Sequence, residues 1–75
     1  MTLYEGNMGK CYQLTGMHMN EEILRRLEAL GMNDGTNVTI LNRKKRGAMI
    51  IKVRGTRLAL GRKLAQQIEV QTDGE

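Results

Sequence analysis

Residues 27–41 read LEALGMNDGTNVTIL. Up to Gly31 the apolar spacing is that of a helix, and after Gly35 it is that of a strand. The join is too tight for a flexible linker. Gly31 fits the left-handed position just past a helix end, with Met32 folding back on the last turn. NDG at 33–35 makes a turn in which Gly35 takes positive φ. A helix is thus aimed back across a sheet, and the rest of the chain can be read outward from that corner.

Toward the N-terminus, MNEEILRRLEALG is the clearest helix. Asn20 can cap it, and Glu21 and Glu22 lie in the first turn, where the helix dipole favours negative charge. Ile23, Leu24, Leu27 and Leu30 form the apolar stripe, with Arg25, Arg26 and Glu28 outside it. Before it, Lys10 to Thr15 reads as a strand between glycine turns. Toward the C-terminus, TNVTILNR turns Val38 and Ile40 inward, and AMIIKVR does the same with Met49, Ile51 and Val53. Between them RKKRG is a hairpin tip of four consecutive cations, Arg43, Lys44, Lys45 and Arg46. Gly55 marks the next turn. TRLALG is a strand carrying Leu58 and Leu60, RKLAQQI is one or two helical turns, IEV at 68–70 is a closing strand, and residues 71–75 are a polar tail. Five short strands with tight glycine turns predict a small closed or partly closed barrel.

At 75 residues the chain is a single domain, 1–75, with a small core. It has two Tyr and no Phe or Trp, so Met, Leu, Ile and Val must fill that core. One cysteine fits a reducing compartment. MTLYEGNMGK lacks a charged segment followed by an apolar run, so no secretory signal is expected, and no apolar stretch is long enough to span a membrane. The net charge of +4 is uneven: residues 1–31 hold three cations and four carboxylates, residues 32–75 nine and four. The basic half must face solvent, an acidic protein, anionic lipid or nucleic acid.

An enzyme is not expected. Cys11 and His18 lie seven residues apart without a positioned third group, and Cys11 occupies a position where a small residue would point into the barrel. No phosphate-binding glycine loop is present. Cys11, Met17, His18 and Met19 are the candidate metal ligands, but they lack the spacing of a closed site. The cation run is either a solvated tip or an electrostatic docking element. Single-strand nucleic-acid binding by stacking wants aromatic platforms, and only Tyr4 and Tyr12 are available. Leu64, beside Arg62 and Lys63, is a candidate anchor in a protein-docking patch.

The chain resembles the FeoA family, accessory proteins of bacterial ferrous iron uptake, and the related C-terminal domain of iron-dependent repressors. The resemblance rests on Gly6 and Gly9, on RRLEALGMNDGTNVTIL, on IIKVRG ending in Gly55, and on LALGRKLAQQIEV with Leu58, Leu60, Ala65, Ile68 and Val70. It implies a mainly β fold with one α-helix, an SH3-like β-barrel of about five strands plus a short C-terminal helical turn. It also implies a non-catalytic adaptor in the cytoplasm, peripheral to the inner membrane through its partner. That partner is the ferrous iron transporter FeoB, in its cytosolic GTP-binding region. No cofactor is implied beyond a weak association with Fe2+ or another transition metal. The family often has proline at the position of Asp34 and near 45–49, and a basic residue at that of Gly61; this chain has none of these. The matching positions, Gly31, Gly35 and Gly55 among them, are turns and core residues and vouch for the fold. Arg43, Lys44, Lys45, Arg46, Arg62, Lys63 and Leu64 are therefore expected partner-binding residues on their chemistry. The alternatives are a small basic nucleic-acid-binding barrel and a metal-responsive regulatory domain.

Overall fold

The computed structural model describes residues 1–72. A short 3-10 helix, Leu3–Glu5, precedes strand β1 (Cys11–Met17), helix α1 (Glu21–Ala29), strands β2 (Asn37–Arg43), β3 (Met49–Val53) and β4 (Thr56–Leu60), helix α2 (Arg62–Ala65) and strand β5 (Ile68–Thr72). The order read from the sequence therefore holds. The 3-10 helix was not anticipated. Its Thr2 backbone N–H donates to Glu5 Oε1 at 2.7 Å, which holds the Glu5 carboxyl below its ordinary value. The last strand runs through Gln71 and Thr72, where a tail was expected; residues 73–75 lie outside the described residues.

Helix α1 begins and ends as its residues dictate. The Asn20 side-chain oxygen accepts from the Ile23 N–H at 2.9 Å. At the other end the Met32 N–H donates to Leu27 O and the Gly31 N–H to Glu28 O, each at 3.0 Å. That pair of bonds is the Schellman closure, and it needs the left-handed φ of +101° that Gly31 supplies. Gly35 and Gly55, the other expected turn glycines, have φ of +86° and +81°. Met32 and Leu27 are both buried, so the closure also seals apolar surface. Removing the cap by Asn20→Ala should cost about 1 kcal/mol. Thermal melts should show a drop of about 4–8 °C, with Asn20→Ser close to the parent.

The five strands form one antiparallel sheet in the order β4-β3-β2-β1-β5. Of the closed or partly closed barrel expected, the closed form is not found: β4 and β5 are edges and do not pair. The N-terminal segment covers the β5 edge. On the β5 side the Val70 N–H donates to Met1 O at 2.8 Å and Thr2 bridges Glu69. Beside β4 a groove separates the strand from α1 and α2. Tyr12, Leu14, Val38, Ile40, Met49, Ile51, Val53, Leu60, Ala65, Ile68 and Val70 fill the concave side, with Leu3, Leu27 and Met32.

Two β-bulges decide which side chains enter. In β2 the register with β3 shifts between Ile40 and Asn42, so Leu41 is extra. Ile40 pairs with buried Ile51, and past the bulge Arg43 pairs with buried Met49. Arg43 is thereby turned inward. Its Nη2 donates to Gly6 O at 2.7 Å, and its guanidinium carbon lies 4.8 Å from the Tyr4 ring centroid. It is not part of the cation tip, which is reduced to Lys44, Lys45 and Arg46. In β1 the register with β5 shifts between Leu14 and Gly16, which places Met17 opposite buried Ile68.

Two core expectations fail. Cys11 is half-buried and does not point into the core, because the strand parity gives that side to Tyr12 and Leu14. Tyr12 can be buried because its hydroxyl accepts from the Asn7 N–H at 2.8 Å. Leu30 belongs to the helical stripe but is 46% exposed, at the C-cap where α1 leaves the sheet.

Candidate functional site

The expected docking residues come from two turns that the fold places side by side. Gly47 closes the β2–β3 hairpin with φ of +87°. A Cβ built on it would lie 2.8 Å from Arg62 Nε and 3.1 Å from Arg62 Cβ. The Arg62 side chain therefore lies across the hairpin, so Lys44, Lys45 and Arg46 meet α2 at one basic corner. These four cations and Lys63 come from two separate stretches of the sequence and share no ion pair with a carboxylate among the described residues; the two ion pairs found there, Arg25–Glu21 and Arg26–Glu22, lie on α1.

Leu64 continues this corner into an apolar groove of 350 Å³. Its walls are Ile23, Arg26, Leu27 and Leu30 of α1 and its cap, Leu58, Ala59 and Leu60 of β4, and Leu64 of α2. Leu64, Ile23 and Leu58 are only partly buried against the core. The groove exists because the sheet stays open at β4, so that α1 meets an edge strand. The sequence points to Leu64 but not to the α1 and β4 walls. The one sequence signal was Leu30, an apolar residue placed after the last turn of the helix.

The candidate metal ligands are not assembled. Cys11 and His18 mark opposite ends of β1, roughly 20 Å apart at strand rise. Met17 and Met19 turn toward the core, whereas His18 is exposed, its imidazole within 3.4 Å of where a Cβ on Gly16 would sit. His18 lines a cleft of 530 Å³ together with Met17, Leu24, Glu28 and Asp34. Even so, no three His, Cys, Asp or Glu among the described residues are placed to hold a metal ion. The residues do not fit a closed metal site, and no step of the function below runs through one.

Residues 1–72 match the family model of the FeoA domain. The chain belongs to the FeoA family. FeoA proteins are implicated in ferrous iron transport. The fold matches the solution structure of the FeoA protein from Chlorobium tepidum with a TM-score of 0.93, at 25% identity, over 99% of this chain and 71% of that one. It matches Stenotrophomonas maltophilia FeoA, a procaryotic SH3 domain protein complexed with zinc, with a TM-score of 0.80 and 29% identity, over 95% of this chain and 89% of that one. A manganese-dependent transcriptional repressor matches with a TM-score of 0.86 and 19% identity, over 96% of this chain and 41% of that one, which shows the shared fold. The open five-stranded sheet is thus an SH3-like fold. No curated relative matches the chain. Among the described residues no helix is long and apolar enough to cross a membrane.

Proposed function

We propose that this member of the FeoA family is a non-catalytic cytoplasmic adaptor that docks on the ferrous iron transporter FeoB, in its cytosolic GTP-binding region, and modulates uptake. The observation that carries this reading is the groove between α1, β4 and α2, lined by apolar side chains and Arg26, with Arg62 and Lys63 directly preceding Leu64 in α2. Apolar anchors in a pocket with a charged rim suit a protein partner. Charge complementarity selects an acidic segment of that partner, with its own apolar side chains entering beside Leu30 and Leu64. Ferrous iron is cargo of the transporter in this scheme and needs no site on the adaptor. The chain would reach the inner membrane through its partner.

The nucleic-acid reading loses support from the placement of the aromatics. Tyr12 is 1% exposed and the Tyr4 ring is covered by Arg43, so neither offers a stacking platform. The metal-responsive reading loses support from the dispersed donors described above.

Immobilised protein should retain the soluble domain of the transporter. Leu30→Asp, at an exposed position, should weaken retention about 30-fold, the loss expected of a hot-spot contact worth about 2 kcal/mol. Reversing the charges of Lys44, Lys45 and Arg46 should slow association and flatten its salt dependence. Undiminished retention by both variants would remove this face from the docking scheme.

A further inference from the structure

The convex side of β2, β3 and β4 carries a second feature. From Gly35 to Ile68 the chain holds nine Lys or Arg and no Asp or Glu. The β3–β4 register sets Lys52 directly opposite Arg57, and both are exposed. Like charges facing each other across strands oppose folding unless something negative lies over them. One pair along, Ile50 faces Ala59 on the same side of the sheet. Leu41, Asn42, Lys44, Ile50 and Arg57 line one open depression there. Leu41 is 36% exposed because the bulge in β2 pushes it out. The face therefore combines cations that pair with no carboxylate among the described residues with outward aliphatic side chains.

We propose that this face binds the surface of an anionic lipid bilayer. Lys44, Lys52 and Arg57 contact lipid phosphates, and Leu41 and Ile50 enter the boundary between headgroups and acyl chains. Charge complementarity supports an anionic partner, and the aliphatic pair decides its class. A polynucleotide offers phosphate and stacked bases, for which Leu and Ile are poor partners and aromatic rings good ones. A bilayer offers phosphate above hydrocarbon, which suits a basic face studded with aliphatics. Three cations and two small apolar contacts give a weak, reversible, salt-sensitive attachment. It would hold the adaptor at the membrane surface independently of any protein partner.

Vesicles without protein separate this inference from docking on the transporter. The full chain is sedimented with phosphatidylcholine vesicles that contain or lack phosphatidylglycerol, at low and high salt. Binding is expected with the anionic vesicles at low salt only. Lys52→Gln with Arg57→Gln should lower the partition coefficient about 25-fold, about fivefold per cation. The same double variant should not lower the melting temperature, since it removes a repulsive pair. Leu41→Ser should weaken vesicle binding at unchanged charge. Equal binding to neutral vesicles, no binding to anionic ones, or full binding by both variants would overturn the proposal. Tight binding of single-stranded RNA, lost in the double variant while vesicles are ignored, would assign the face to nucleic acid instead.

Discussion

Gly6→Ala is expected to lower the stability of the domain by about 3 kcal/mol, although it adds one methyl group. Gly6 is buried, and a Cβ there would lie 2.5 Å from Ile40 Cδ1 and 2.8 Å from Tyr12 Cε2. Ile40 is 0% and Tyr12 1% exposed, so neither has space to retreat into. Moving the backbone is no cheaper. The Gly6 N–H donates to Leu3 O, and its carbonyl accepts from Arg43. Lifting Gly6 would withdraw the fully buried Leu3 and break the tie that holds the inward Arg43. For a domain of this size the loss corresponds to a melting temperature about 12–24 °C lower. Gly61→Ala is the control, because φ there is −69° and a Cβ would meet nothing. It should cost no more than about 1 kcal/mol, the loss expected because alanine is a poorer N-cap for α2 than glycine. Equal melting temperatures for the two variants would show that the N-terminal segment does not pack as described.

Ile51→Ala should cost more, about 3–5 kcal/mol. Ile51 is fully buried in β3, with Ile40 opposite it in β2 and Leu58 opposite it in β4. Removing three carbons from the middle of the sheet leaves a cavity that a three-strand contact cannot collapse around. A domain of this length has a total stability of about 4–11 kcal/mol, so much of it is at stake. Urea titration should show a lower midpoint at an unchanged slope, or loss of the cooperative transition altogether. A cost below about 1 kcal/mol would mean that Ile51 is not central to the core.

What the sequence revealed was local. Asn20, the apolar stripe and the pair Gly31–Met32 specify where α1 starts and stops, since each signal acts within one turn. Alternation in Met49, Ile51 and Val53 specifies the inner face of β3 for the same reason. The bulges were not legible. An extra residue at Leu41 inverts parity downstream, and only the pairing with β3 shows that it is there. Hence Arg43 reads as part of a cation tip and instead lies against Tyr4. Cys11 and Tyr12 could each have faced the core, and the choice went to Tyr12 because Asn7 supplies a partner for its hydroxyl. The open edge at β4 depends on the whole sheet, so a groove built from α1, β4 and α2 has no contiguous signature. Leu64 and the basic residues beside it were visible as types, and their common corner follows only from Arg62 crossing Gly47.

Docking through that groove is tested most directly by nuclear magnetic resonance, with the isotope-labelled chain titrated by the soluble GTP-binding domain of the transporter. Amide shifts should change in the groove walls, from Ile23 to Leu30 and from Leu58 to Leu64, and at the Lys44–Arg46 tip. The outer face of β1 and β5, around Gln13 and Gln71, should stay still. Shifts confined to Gln13 and Gln71, or none at saturating partner, would contradict the docking face.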